Sequence, residues 1–165
     1  MIAVIGCGNA NRRDDGAGLE VIRQLQGRDG FRDRTQVQLL DAGTDGMAVM
    51  FAAKGCTSLI VVDACRTGAE PCAVFEVPGS ELESRKPHSL SLHDFRWDHA
   101  LFAGRQIYRD DFPKDVVAFL IEAQNLELGC ELTSAVLASA RRVADRIEKL
   151  VLSTLVARES AEFGS

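Results

Sequence analysis

No stretch of this chain stays apolar for the roughly 18 residues that a bilayer crossing needs, and the N-terminus lacks the basic segment and long apolar core of a secretory leader. A cytoplasmic protein without membrane attachment is expected. The five cysteines, Cys7, Cys56, Cys65, Cys72 and Cys130, form no C-x-x-C pair, and their number is odd. That pattern fits reduced, buried thiols rather than a disulfide framework. Basic residues are the minority, 19 Lys and Arg against 24 Asp and Glu, and they are scattered along the chain. A net charge of −5 therefore disfavours nucleic acid as the main partner, since phosphate binding needs concentrated basic surface. Missing too are a Walker loop, a G-x-S-x-G elbow and an H-E-x-x-H helix, which leaves P-loop, serine-triad and zincin-type chemistry without support. Internal repeats, low-complexity tracts and linkers are also absent.

What remains is a chain of 165 residues, a length suited to one compact domain spanning 1–165. Five runs read as strands: Ile2 to Gly6, Gln36 to Leu40, Ser58 to Ala64, Cys72 to Val77 and Asp115 to Ala123. The first, third and fifth are almost continuously apolar, as in strands covered on both faces. Helical patterns lie between them: Leu19, Ile22 and Leu25 share one stripe, and a second helix closes at Gly55. Further helices are expected from His93 to Tyr108 and from Thr133 to about Val156, with a frayed tail after Arg158. This alternation implies an α/β, three-layer sandwich: a five-stranded, mostly parallel, twisted sheet with helices on both faces. One strand must break the pattern. The segment from Asp63 to Cys72 is too short for a parallel crossover, so the fourth strand is expected to run antiparallel.

In such a sheet, ligands bind beyond the carboxyl ends of the parallel strands. Those ends are acidic here. Strand one leads into GCGNANRRDDG with Asp14 and Asp15, strand two into Asp41-Ala42-Gly43-Thr44, and strand three ends at Asp63. Asn11 stands where a dinucleotide loop needs its third glycine, and the adjacent aspartates would repel phosphate, so nucleotide binding is the weaker reading. A cation fits better, because carboxylates supply hard, charged oxygen donors. Taken singly, each acid has an ordinary role: one of Asp14 and Asp15 as a cap on the helix after Gly16, Asp63 in a turn, Asp41 in a turn with Thr44.

Three histidines are available to complete such a set: His88, His93 and His99. On one helix, His93 and His99 would point about 120° apart and could not share an ion. Ser91 with Asp94 resembles a helix start that places His93 in the first turn, where the helix dipole keeps imidazole neutral. His93 is preferred, with His88 as its rival. Two carboxylates and one imidazole suit Zn, Ni, Fe or Mn and leave coordination positions open.

GCGNANRRDDGAG, DAGTDGM, VVDA and SLSLHDF, in this order and spacing, resemble the hydrogenase maturation proteases, from Met1 to about Leu150. The resemblance implies an endopeptidase that removes the C-terminal extension from the nickel-loaded precursor of a [NiFe] hydrogenase large subunit. It implies that nickel carried by that substrate is met by Asp15, Asp63 and His93, with zinc or cadmium as a surrogate in the isolated protein. Asp41, in the loop of the second strand, is implied in activity as well. Asp15 occupies a position that often holds glutamate in the family. A monomer is expected. The competing readings are a nucleotide-binding module and a protein of the same fold that holds the precursor without cutting it.

Overall fold

The computed structural model describes residues 1–32, 35–83 and 96–162. Strand β1 (Ile2–Cys7) is buried along its whole length, and it is followed by a short 3₁₀ turn at Arg13–Gly16 and helix α1 (Ala17–Gln26). Then come β2 (Val37–Gly43), α2 (Gly46–Ala53), β3 (Ser58–Cys65), β4 (Val74–Pro78) and the short α3 (Gly79–Glu83). Helix α4 (Trp97–Tyr108), β5 (Asp115–Glu122) and α5 (Ser134–Glu162) complete the chain.

The strands lie in the order β2-β1-β3-β5-β4. All neighbours are parallel except β4, which runs antiparallel to β5, as the short Asp63 to Cys72 connection requires. Alternation along each strand divides the interior in two. Ile2, Val4, Ile60, Val62, Phe119 and Ile121 face α1 and α5. Ala3, Ile5, Cys7, Leu59, Val61 and Ala118 face α2 and α4. By the same alternation Asp63 shares the face of Leu59 and Val61, so the strand delivers it to the α2/α4 side.

Chain direction diverges at β1, with β2 on one flank and β3 on the other. The carboxyl ends of β1 and β3 therefore form a switch point where loops part and leave a crevice. Helix α1 sits hard against that point. A Cβ on Gly18 would collide with the carbonyl oxygens of Val62 and Cys7, and a Cβ on Gly6 would strike the Gly18 carbonyl. Glycine at both positions lets helix and strand backbones touch.

Three boundaries differ from the sequence reading. Strand β2 continues through Asp41 to Gly43, across a bulge where Gly6 pairs with Asp41 but Cys7 pairs with Gly43. Helix α4 starts at Trp97, with Arg96 extended before it (φ −84°, ψ 171°), so the expected helix from His93 is broken at Arg96. Its start carries no side-chain cap, which removes the local signal a sequence would show. Helix α5 continues past the expected end near Val156 to Glu162, with Leu155 buried and the Arg158 guanidinium donating to Ser58 Oγ at 2.8 Å. Among the described residues, no helix is long and apolar enough to cross a membrane.

Candidate functional site

The loop after β1 folds back on itself and presents its two aspartates to different surroundings. Gly8, at φ +129°, turns the chain where a side chain would run into the Asp15 backbone, and its N–H donates to the Gly43 carbonyl at 2.8 Å. Asn9 N–H donates to Asp15 Oδ2 at 3.1 Å, which holds that half-buried carboxylate against the loop with its other oxygen uncommitted to this bond. Asp14 is fully buried instead. Its Oδ2 accepts from the N–H groups of Gln124 and Asn125 at 3.0 and 2.7 Å, and its Oδ1 from Thr133 N–H and Oγ1 at 2.7 and 3.0 Å. Neither aspartate caps α1, whose N-cap Gly16 has no side-chain bond. Asp14 instead ties the loop to the segment that leads into α5, and Arg13 N–H to Gly129 O and Gly129 N–H to Asn11 O add two more ties, at 2.8 and 3.0 Å.

Asp63 lies within β3, not in a turn, and is only 6% exposed. Both oxygens are held: Oδ1 accepts from Ala64 N–H at 2.8 Å and Oδ2 from the Trp97 indole N–H at 2.7 Å. The Arg96 guanidinium stands 3.7 Å from the same Oδ2. Burial pushes this carboxyl up to about 6, against the Trp97, Arg96 and Ala64 contacts that pull it down, and the charge of Asp15 adds to the rise. The two carboxylates therefore feel each other. A Cβ on Gly8 would strike the Asp15 backbone carbonyl and lie 3.6 Å from Asp63 Oδ1, so glycine here lets the Asp15 backbone and the Asp63 carboxylate approach the same point. Cys7, beside them, is raised far above the ordinary thiol range by burial and then by the Asp63 charge, with Asp41 adding a little. A neutral, buried thiol is a poor nucleophile, which disposes of Cys7 in that role.

Asp15, Asp63, Gly8 and Cys7 line one cleft of about 920 Å³, closed on other sides by the N-terminus of α2, by Cys65 to Thr67, and by Arg96 to His99. Asp41 lies outside that lining. It is exposed, and its Oδ1 accepts from Gly43 N–H at 2.9 Å, which shapes the bulged loop rather than facing the cleft. Asp45 caps α2 by accepting from Met47 and Ala48 N–H at 2.9 and 3.1 Å. His88 and His93 lie outside the described residues. The angular argument needed His93 and His99 on one helix, and the helix that carries His99 begins only at Trp97, after the extended Arg96; His99 lines the cleft from its first turn. Among the described residues, no three His, Cys, Asp or Glu side chains form a metal-holding group. The described wall thus supplies two oxygen donors of the kind a hard or borderline cation takes, and any third comes from elsewhere. Trp97 and Arg96 were not legible as site residues. Their only signal was nearness in sequence to His93.

The family model described as HycI, hydrogenase maturation protease, matches residues 19–150, most of the chain. The chain belongs to the hydrogenase maturation protease family. Among curated relatives, coenzyme F420 hydrogenase subunit delta of Methanothermobacter thermautotrophicus is 37% identical over 105 residues, covering 56% of this chain and 65% of that protein. The chain thus spans just under two thirds of that relative's length. Among solved structures, the hydrogenase maturating endopeptidase HybD of Escherichia coli superposes with a TM-score of 0.77 at 22% identity, covering 93% of each chain. An endopeptidase from Escherichia coli solved in solution gives 0.75 at 25% identity over 88% of each chain. These likenesses bear out the α/β sandwich with its single antiparallel edge strand, which is the fold of the family's solved members. The family match starts at residue 19, just beyond the loop that carries Asp14 and Asp15.

Proposed function

We propose that this protein is an endopeptidase that removes a C-terminal peptide from the precursor of a [NiFe] hydrogenase large subunit, with the nickel already seated in that precursor as the licence for cleavage. The observation that carries the reading is that Asp15 and Asp63 line one cleft, near enough for the Asp15 charge to act on the Asp63 carboxyl, each delivered by a separate switch-point segment. A cleft of about 920 Å³ is large enough for an extended peptide segment rather than a bare ion. Asp15 and Asp63 are the oxygen donors and His93 the nitrogen donor in this reading. Nickel held between substrate and protease would hold the scissile peptide in place, polarise its carbonyl or activate the attacking water. Asp41 acts through the shape of its loop. The protein works as a monomer in the cytoplasm.

The test is a paired incubation of the protein with nickel-loaded and nickel-free precursor, each large subunit then weighed by mass spectrometry. Loss of a C-terminal peptide from the loaded form alone is the expected result, and Asp15→Ala, Asp63→Ala or His93→Ala should lower the rate at least about 100-fold, within the range for groups that hold a catalytic metal or substrate. His99→Ala should leave the rate within a few-fold. An unchanged mass in both incubations would sink the reading, and equal cutting of both forms would remove nickel from it.

A further inference from the structure

The chain contains one tryptophan, and its indole N–H is spent on the carboxylate at the centre of the cleft. Trp97 is 6% exposed and its ring packs with the α2/α4 core beside Ala100 and Leu101. A buried indole N–H needs an acceptor, and most acceptors in a protein interior are backbone carbonyls. Here the acceptor is a functional side chain, at the short distance of a charge-assisted bond. The indole has a single N–H in a fixed direction, so a ring wedged in the core sets both the place and the plane of Asp63. Ala64 N–H fixes the other oxygen. Among the described residues, these bonds leave one lone-pair direction on each oxygen, and the carboxylate as a whole belongs to the cleft lining.

Arg96 acts on the same oxygen in a different way. Its guanidinium is 3.7 Å from Asp63 Oδ2 and 3.9 Å from Asp98 Oδ1, its side chain is 67% exposed, and it hangs from extended backbone just before α4. A long, solvated side chain at that separation is easily displaced. We propose that Trp97 is the positioning residue of Asp63, holding its carboxylate ready for a cation, and that Arg96 is the exchangeable positive charge that neighbours Asp63 until the cation arrives. This rests on the reading of Asp63 as a cation-facing group. It makes α4 a working wall of the site: the helix core anchors the ring, the ring aims the carboxylate, and the residue before the helix guards it.

The test uses full-length protein with cadmium ion as the probe. Trp97→Phe keeps an apolar ring and loses the N–H. Because only one tryptophan is present, biosynthetic replacement by benzothienylalanine, of the same shape with sulfur in place of N–H, gives a second variant that preserves packing. Both should bind cadmium about tenfold more weakly by calorimetry, the lower end of the loss seen when groups orienting a metal ligand are removed. Arg96→Gln should bind cadmium about twofold more tightly, as expected for loss of an exposed competing charge. In wild-type protein the lone indole N–H resonance should shift during the same titration. In the precursor assay both Trp97 variants should lose kcat with KM little changed. Wild-type cadmium affinity in the benzothienylalanine protein, or an indole resonance indifferent to cadmium, would overturn the proposal. A precursor left uncut while the cadmium and indole responses appear as described would sink the protease reading and leave the positioning role standing.

Discussion

Asp14 and Asp15 are adjacent and chemically identical, yet one is a structural tether and the other a free hand. The difference lies in what Asp14 meets more than a hundred residues later, whereas Asp15 accepts from Asn9 in its own loop. Asp14 accepts from four groups between Gln124 and Thr133, and removing its carboxylate would leave buried backbone donors unpaired at roughly 1–3 kcal/mol apiece, less what rearrangement recovers. Asp14→Ala should therefore lose about 3 kcal/mol in urea unfolding, roughly a 10 °C fall in Tm for a chain of this size. Asp15→Ala, which among the described residues frees the Asn9 N–H, should cost about 1 kcal/mol while abolishing cleavage. The sequence announces that this pair matters but is silent on the division of labour, because the partners of Asp14 are brought to it only by the finished sheet.

Asp63 makes the complementary case, a residue whose stability effect runs against its function. Its folded carboxyl titrates near 6 against 3.8 for the free group, so between about pH 4 and 6 the native state holds more proton than the unfolded state. Stability must then fall as pH rises through that window, by up to about 1.4 kcal/mol per pH unit and about 3 kcal/mol in all. Asp63→Asn keeps an acceptor for the Trp97 indole and has nothing to titrate. Urea unfolding of both proteins from pH 4 to 7.5 should show the variant gaining on the wild type across that interval and holding a constant lead above it. Parallel stability curves would mean that Asp63 ionises as freely in the fold as in water.

At the scale of elements, the legible features were those with local causes. Continuously apolar runs marked β1, β3 and β5, and the short Asp63 to Cys72 connection marked the reversal of β4. Features with distant causes were misread. The start of α4 at an uncapped Trp97 goes with the ring docking in the core and the Asp63 bond, while the Ser91 and Asp94 pattern lies outside the described residues. The end of α5 is set by Leu155 packing and by the Arg158 to Ser58 bond across the far edge of β3. Contact between α1 and the sheet falls between the two cases, since Gly6 and Gly18 were visible as glycines but their mutual approach was not. Gly18→Ala forces a methyl group against the Val62 and Cys7 carbonyls, so α1 must move off the switch point. A loss of about 2 kcal/mol is expected from such overpacking, together with a fall in kcat larger than that of an equally destabilising change in α5, because Gly8 and Asp63 flank the same point. Equal losses of rate in both variants would assign the effect to stability alone.

For the whole molecule, the α/β order and the acidic rim located the cleft before any coordinates, because a doubly wound sheet leaves few places for a ligand. The composition of its walls was less accessible. Asp15 and Asp63 do line one cleft, but Asp41 turns to its own loop, and the tryptophan that aims Asp63 comes from a helix whose start was misplaced. A single sequence shows which residues are near one another along the chain. It is a poor guide to which of two neighbouring acids, Asp14 or Asp15, is drawn into the fold and which faces the cleft.

The knot of bonds from the Asn11 to Asp14 turn to residues 124–133 also sets an order of events during synthesis. Asp15 is made more than a hundred residues before the segment that steadies its loop. A nascent chain therefore lacks a steadied Asp15 loop until residues 124–133 have emerged, and whatever chemistry the cleft performs must wait for them.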